Sequence, residues 1–407
     1  MYKFDINIKP EIHDGFVKNH ELCSLLQSSS WSKVKDNWDH SIIGVYDNNE
    51  LVASSLVLIK KLPLSLSMIY IPRGPIMDYE NKELVKFYFS SIKKWAKKKN
   101  CLFIKFDPPI IYKEYMVKDK DTAQCNNIVN TVISNIENSG GIHMGFTTEM
   151  GDTIQPRYQM GLYKCDDLSK HITKEALKSR NAAVRKYVTA KRYGKEKLDS
   201  FANIMISTED RKGVALRNKE YFEKLMDIYK DNAYLFVVSV DPQKRFNEVV
   251  NELEKVKLEL NNPNITMKAS TRLNRTLLDL QKEYDSLIEI ASKYTSEQDI
   301  AGALMIGFGN TIEMLYAGMN AEFKAFRPQD YLYYERFNYA FEQGYEYASM
   351  GGVEGSLKDG LTIYKSKYNT LVREHIGEFD FPVNSLLYKL SRLAYTIRKK
   401  GRLWELI

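Results

Sequence analysis

A chain of 407 residues with 44% hydrophobic content carries enough apolar material for two compact domains, and its formal net charge of +7 favours an anionic partner, whether RNA, a nucleotide-linked substrate or an acidic membrane surface. No run approaches the ~18 apolar residues of a spanning helix, and the first residues lack the apolar core of a signal peptide, so the expected address is the cytoplasm. Cys23, Cys101, Cys125 and Cys165 are scattered without a CxxC pair, which argues against a zinc knuckle or disulfide framework and predicts reduced, mostly buried thiols.

In chain order, a helix is expected over 22–38, then a strand hairpin of 42–46 and 51–59 about a turn at 47–50, and a strand at 68–72. A helix follows over 84–95, with Leu84, Tyr88, Ile92 and Trp95 at helical spacing, and then a strand at 102–106. The second half repeats the order: a helix at 221–229, a strand at 235–240, strands 301–308 and 311–317 about a Gly309-Asn310 turn, a helix at 331–341, and a strand ending at Met350. Helix, antiparallel strands, helix, strand is the order of an acetyltransferase-like (GNAT-like) unit. The expected fold class is therefore α+β, two GNAT-like domains side by side with a substrate cleft between them.

An insertion interrupts the second half. Phe246, Val249, Leu253, Val256 and Leu260 alternate three and four apart, and Leu273, Leu277, Leu280, Tyr284 and Leu287 form a second stripe after the helix-stopping NNPN of 261–264. Two helices folding back on each other make an antiparallel coiled-coil arm, each limb roughly 28 Å long. The expected domains are 1–150, a second formed by 151–241 and 298–383, the arm at 242–297, and a basic C-terminal helix at 384–407.

Cations cluster over 174–197, a segment that reads as a helix followed by a loop. Lys178, Arg180, Arg185, Lys186, Lys191 and Arg192 are the candidates there for RNA phosphate contacts, the alternative being a solvated helix face. Lys93, Lys94, Lys97, Lys98 and Lys99 end a helix, where cations complement its dipole.

Several chemistries are absent from the sequence. It has no GxxxxGK[ST] phosphate loop, no HExxH and no GxSxG elbow. It also lacks the [QR]xxGx[GA] turn that cradles a cofactor pyrophosphate, which argues against coenzyme A as the acyl donor.

Seven segments together resemble the Fem family of tRNA-dependent aminoacyltransferases that build peptidoglycan interpeptide bridges. In order they are WSKVKDNW at 31–38, YIPRGPIMDY at 70–79, FDP at 106–108, TIQPR at 153–157, YAG at 316–318, GGVE at 351–354 and LTIYK at 361–365. Within the family the likeness is greatest to members that add the first alanine or serine of a branch. The resemblance implies transfer of Ala, Ser or Gly from aminoacyl-tRNA to the side-chain amine of the stem-peptide lysine of lipid II, or of its UDP-MurNAc-pentapeptide precursor. The ester is already activated, so neither cofactor nor metal is expected.

The resemblance makes Lys365 the group that stabilises the oxyanion, with Tyr364 shaping the pocket. It gives Lys35 and Arg217 to the substrate pyrophosphate, and Trp31, Trp38, Tyr221, Tyr316 and Asp107 to further substrate contacts. Trp31 and Trp38 are expected on one helix face and Tyr221 on the face of Arg217. Arg73 and Arg157, each beside a proline, are expected to support the site from behind. A lipid-linked acceptor implies a peripheral position at the inner membrane face, aided by the basic Arg398-Lys399-Lys400-Gly401-Arg402. Two other readings remain open: a coenzyme A-dependent N-acyltransferase and a non-catalytic tRNA-binding protein.

Overall fold

The computed structural model describes residues 1–212 and 217–393. Its contacts divide the chain into unit 1, made of Met1–Lys164, Gly307–Glu313 and the chain from Tyr345 onward, and unit 2, made of Cys165–Ile306 and Met314–Gly344. Unit 1 begins with β1 (Tyr2–Ile6), α1 (Pro10–Asn19), α2 (Trp31–Val34), β2 (Asp39–Asp47), β3 (Glu50–Lys61), β4 (Ser67–Ile71), β5 (Ile76–Met77) and α3 (Lys82–Lys97). It continues with β6 (Cys101–Phe106), β7 (Ile111–Tyr115), α4 (Val129–Asn138), β8 (Ile142–His143) and β9 (Tyr158–Tyr163). Unit 2 supplies α5 (Leu168–His171), α6 (Lys174–Arg185), β10 (Thr189–Tyr193), α7 (Leu198–Lys212), α8 (Lys219–Tyr229), β11 (Ala233–Val240), α9 (Pro242–Leu260) and α10 (Met267–Lys293). Strands β12 (Gln298–Phe308) and β13 (Thr311–Met319) carry the chain across the division. Then come α11 (Pro328–Glu342) in unit 2 and β14 (Tyr347–Gly352), α12 (Gly360–Ser366), β15 (Leu371–His375) and β16 (Phe379–Pro382) in unit 1.

The first sheet of unit 1 has the order β1-β2-β3-β4-β6-β16-β8, with β5 pairing β3. The pairs β1·β2, β2·β3 and β3·β4 are antiparallel, and β4·β6 is parallel because α3 returns the chain to the starting edge. One face of α3 is buried at Leu84, Val85, Tyr88, Phe89, Ile92, Trp95 and Ala96. Phe89 stacks on Phe381 at 5.1 Å and Phe106 on Phe379 at 5.2 Å. The alternation of Phe379 and Phe381 sends both rings of β16 into this core.

The pairing of these C-terminal strands shifts the domain division. Residues 345–383 were expected in the second domain, but β16 pairs with β6 and β8, while β14 and β15 both pair with β9, and β15 also with β7. Unit 1 thus holds the C-terminal strands, and its first stretch ends at Lys164 rather than near 150. The expected basic helix at 384–407 lies largely outside the described residues.

The helix expected over 22–38 does not form as one piece. A 3-10 turn (Leu25–Gln27) and the single turn α2 replace it, because serines divert the hydrogen bonds of the segment: Ser24 caps the turn through Leu26 N–H, and Ser29 donates its N–H and hydroxyl to the more distant Asp14, both at 2.7 Å. The loop expected after α6 contains β10, paired antiparallel with β11. Of the four free thiols only Cys101 is buried and Cys125 is exposed.

The arm forms as the heptads require, as helices of 19 and 27 residues. Val249, Leu253, Val256, Leu273, Leu280 and Leu287 are buried along the seam, and Phe246 meets Tyr284 at 5.3 Å. Its base is tied to α6. Arg245 grips Glu283 with Nε and Nη2, both at 2.9 Å, and Glu248 at 2.6 Å, while Lys186 reaches Glu283 at 3.2 Å and Tyr187 donates to Glu248 at 2.8 Å. Replacing Arg245 by Met leaves Glu283 with Lys186 and Glu248 with Tyr187 as partners, so a loss of about 2 kcal/mol in unfolding free energy is expected in urea titration. No described helix is long and apolar enough to cross a membrane.

Candidate active site

Lys365 stands in the last turn of α12, whose N-cap Asp359 accepts from the N–H groups of Leu361 and Thr362 at 2.9 and 3.0 Å. The lysine is 3% exposed, and its Nζ donates to the carbonyls of Gly352 at 2.9 Å and Gly351 at 3.4 Å. Glycine is needed at both positions. Gly351 has φ +76°, and a Cβ on Gly352 would lie 2.5 Å from the ring of Pro156. Tyr364 points its hydroxyl toward that of Tyr368 at 3.4 Å.

Pro156 links this lysine to a buried ionic network. Its carbonyl accepts from Arg73 Nη2 at 2.7 Å, and Arg73 lies beside Asp107, Nη1 to Oδ2 at 3.6 Å. The other Asp107 oxygen accepts from the Tyr70 hydroxyl at 2.9 Å and the Arg73 N–H at 3.1 Å, whereas Oδ2 accepts no hydrogen bond among the described residues. Burial pushes the Asp107 carboxyl up to about 7, although Arg73 and these donors favour its charged form. A carboxyl titrating near neutrality can take and return protons at physiological pH.

Five of the seven resemblance segments therefore converge in unit 1, through Tyr70 and Arg73, Asp107, Pro156, Gly351 and Gly352, and Lys365. The other candidates form two further groups. In unit 2, the Arg217 guanidinium lies 5.0 Å from the Tyr221 ring centroid, and Tyr221 and Phe222 meet Tyr316 at 6.0 and 5.2 Å. Burial, then the Tyr316 phenol, raises the Tyr221 hydroxyl above its ordinary value. Arg217 precedes the α8 N-cap Asn218, so it reaches Tyr221 across a helix start and not along a helix face. In unit 1, Trp31 is buried and Lys35 lies 5.8 Å from its ring, but α2 ends at Val34. Trp38 consequently shares no helix face with Trp31 and carries Lys60 at 5.6 Å.

A model of the FemAB family matches residues 8–396. The chain belongs to the FemAB family. Proteins named lipid II:glycine glycyltransferase are similar along nearly their whole length. The one from Staphylococcus saprophyticus is 29% identical over 405 residues, 95% of this chain and 94% of the relative, and one from Staphylococcus aureus strain USA300 is 30% identical with the same coverage. The crystal structure of FemX is 28% identical with a TM-score of 0.75, covering 95% of this chain and 99% of FemX. A tandem GNAT protein from clavulanic acid biosynthesis shares the fold at 6% identity and a TM-score of 0.51, over 94% of this chain and 99% of its own. The expected class, α+β with two GNAT-like domains and an inserted helical arm, is the one this FemAB chain adopts.

The cations considered for RNA divide by their contacts. Lys178, Arg185 and Lys191 are exposed. Arg180 bridges to Glu335 at 3.0 Å over the Tyr334 ring, Lys186 holds Glu283 and the Ala325 carbonyl, and Arg192 donates to the Tyr339 hydroxyl at 2.9 Å. Arg180 and Lys186 are thereby spent on internal struts. Arg157, expected behind the site, is buried and bonds Glu374 at 2.6 Å.

Sequence reading missed Glu313, Tyr347, Arg373 and His375. Burial raises the Glu313 carboxyl, with Ser349, Arg73 and Arg373 opposing, and holds His375 well below its usual value together with Arg73, Arg373 and Arg157. Arg373 lies 3.4 Å from the Tyr347 ring centroid and bonds Glu114 at 2.8 Å. These residues sit on β13, β14 and β15, and no local motif marks them.

Proposed function

We propose that this chain transfers an amino acid from aminoacyl-tRNA to the side-chain amine of the stem-peptide lysine of a peptidoglycan precursor, with lipid II as acceptor and glycine as the first amino acid to test. The observation that carries this reading is the convergence of Lys365, Arg73 and Asp107 in a FemAB chain whose relatives are named for lipid II and glycine. The incoming amine attacks the ester carbonyl and the C–N bond forms. Asp107, titrating near neutrality, takes the amine proton. The Lys365 ammonium, held by two backbone carbonyls, stabilises the developing oxyanion, and as the C–O bond breaks the proton held by Asp107 passes to the ribose oxygen, which leaves as the hydroxyl. Arg217, with Tyr221 and Tyr316, and Lys35, with Trp31 and Trp38, are two separate candidates for gripping the acceptor pyrophosphate and packing its neighbouring groups. Lys178, Arg185 and Lys191, with Arg192 beside them, form the tRNA-facing cations.

Mass spectrometry of lipid II and UDP-MurNAc-pentapeptide after incubation with tRNA charged with glycine, alanine or serine tests the reading. A mass gain of one residue names donor and acceptor. Charged tRNA that binds with its ester intact, with no mass gain, supports a non-catalytic RNA-binding protein instead. Gain from acetyl-coenzyme A alone supports a coenzyme A-dependent N-acyltransferase. Arg217→Ala is expected to raise the acceptor KM about tenfold with little change in kcat, the cost of one exposed charge-assisted contact. An unaltered KM removes Arg217 from the pyrophosphate.

A further inference from the structure

The turn between β3 and β4 holds an apolar side chain out into solvent. Leu64 is 90% exposed at φ +60°, followed by Ser65 at φ +54°. The turn is well fixed. Leu62 N–H donates to the Leu66 carbonyl at 2.8 Å, Ser67 N–H to Asn100 at 3.0 Å, and the Ser67 hydroxyl to Lys99 at 2.7 Å. These last two bonds tie the turn to the end of α3. Two runs of exposed lysines therefore flank Leu64: Lys60 and Lys61 on one side, and Lys97, Lys98 and Lys99 on the other. Beside them opens a cavity of about 1010 Å³, lined by Lys33, Lys61, Lys99, Trp38, Leu62 and Leu66. Asp36 and Asp39 also line it, and Asp39 pairs with Lys61 at 3.0 Å, so the balance of charge around the turn remains positive.

We propose that the β3–β4 turn and the end of α3 are a docking surface for an anionic phospholipid membrane. Leu64 enters the acyl boundary, and the lysines lie at the depth of the lipid phosphates. Charge complementarity selects this occupant: an anionic leaflet attracts clustered lysines, whereas the centres of protein interfaces are depleted of lysine. A leucine ringed by cations on a rigid support suits the boundary between water and hydrocarbon.

The test is co-sedimentation of the full chain with phosphatidylcholine vesicles containing about one part in three phosphatidylglycerol, against pure phosphatidylcholine. These vesicles contain no peptidoglycan precursor, so failure of the transfer reading leaves the test intact. The chain is expected to bind the anionic vesicles only. Leu64→Ser should lower the partition coefficient roughly tenfold, and Lys60→Gln and Lys61→Gln about fivefold each, with thermal midpoints unchanged. Equal binding to both vesicles, no binding to either, or binding that all three variants retain overturns the proposal. Self-association in solution that Leu64→Ser abolishes, without vesicle binding, gives the surface to a second copy of the chain and overturns it as well.

Discussion

Lys365→Met is expected to lower kcat by about 10² to 10³, the usual loss when a donor to a developing oxyanion is removed. The structure adds a second consequence. The ammonium is buried and bonded to the carbonyls of Gly351 and Gly352, so the variant leaves two acceptors without this donor and should lose about 1–3 kcal/mol of stability. Separating the two effects requires measuring kcat well below the thermal midpoint of the variant, with the folded fraction fixed by circular dichroism. A drop in kcat with KM for charged tRNA unchanged places the lysine in the transition state. Wild-type kcat from folded variant would make Lys365 a pin for the Gly351–Gly352 turn and nothing more. Lys365→Arg is informative beside it, because a guanidinium keeps the charge but cannot occupy a slot shaped around a compact ammonium. It should restore less than a tenth of the lost rate.

The parts of this molecule legible in its sequence are those in which one segment carries the whole signal. The arm is the clearest case: a three-four alternation of apolar residues, a helix-stopping NNPN and a second stripe define both helices and their seam before any tertiary contact is considered. The 22–38 stretch shows the opposite. Its apolar spacing suggests a helix, but Ser24 and Ser29 have local acceptors and donors that compete with helical hydrogen bonds, and Asp14, ten or more residues away, decides the outcome. The domain division depended on where β16 pairs, and the alternation of Phe379 and Phe381 says that a strand buries one face without saying in which sheet. The candidate site has the same character. Asp107 and Lys365 stood out through segments resembling a family. Glu313, Tyr347 and Arg373 are ordinary strand residues until register places Glu313 opposite Ser349 and the Arg373 guanidinium on the Tyr347 ring.

Asp107→Asn is expected to remove a pH dependence along with about 10² to 10⁴ of the rate. The carboxyl titrates at about 7 in the folded chain against an ordinary value near 3.8. If its ionised form accepts the amine proton, the slope of log kcat/KM against pH falls from about two to about one as pH rises through about 7, the remaining rise following deprotonation of the acceptor amine. The stem-peptide lysine itself titrates far higher, near 10.4. The asparagine variant should show a low rate with no inflection near 7. Stability moves in the opposite sense. A carboxyl whose folded-state pKa is raised contributes stability below its unfolded value, and that contribution is lost as pH climbs from about 4 through 7. Asparagine keeps an oxygen to accept from Tyr70 and the Arg73 N–H and cannot ionise, so the variant should lose less stability than wild type over that interval in urea titrations. The two readouts discriminate between roles. A flattened stability curve with the rate inflection intact would make Asp107 a buried partner of Arg73 and give the proton to another group, with Glu313, whose carboxyl burial also raises, as the next to replace.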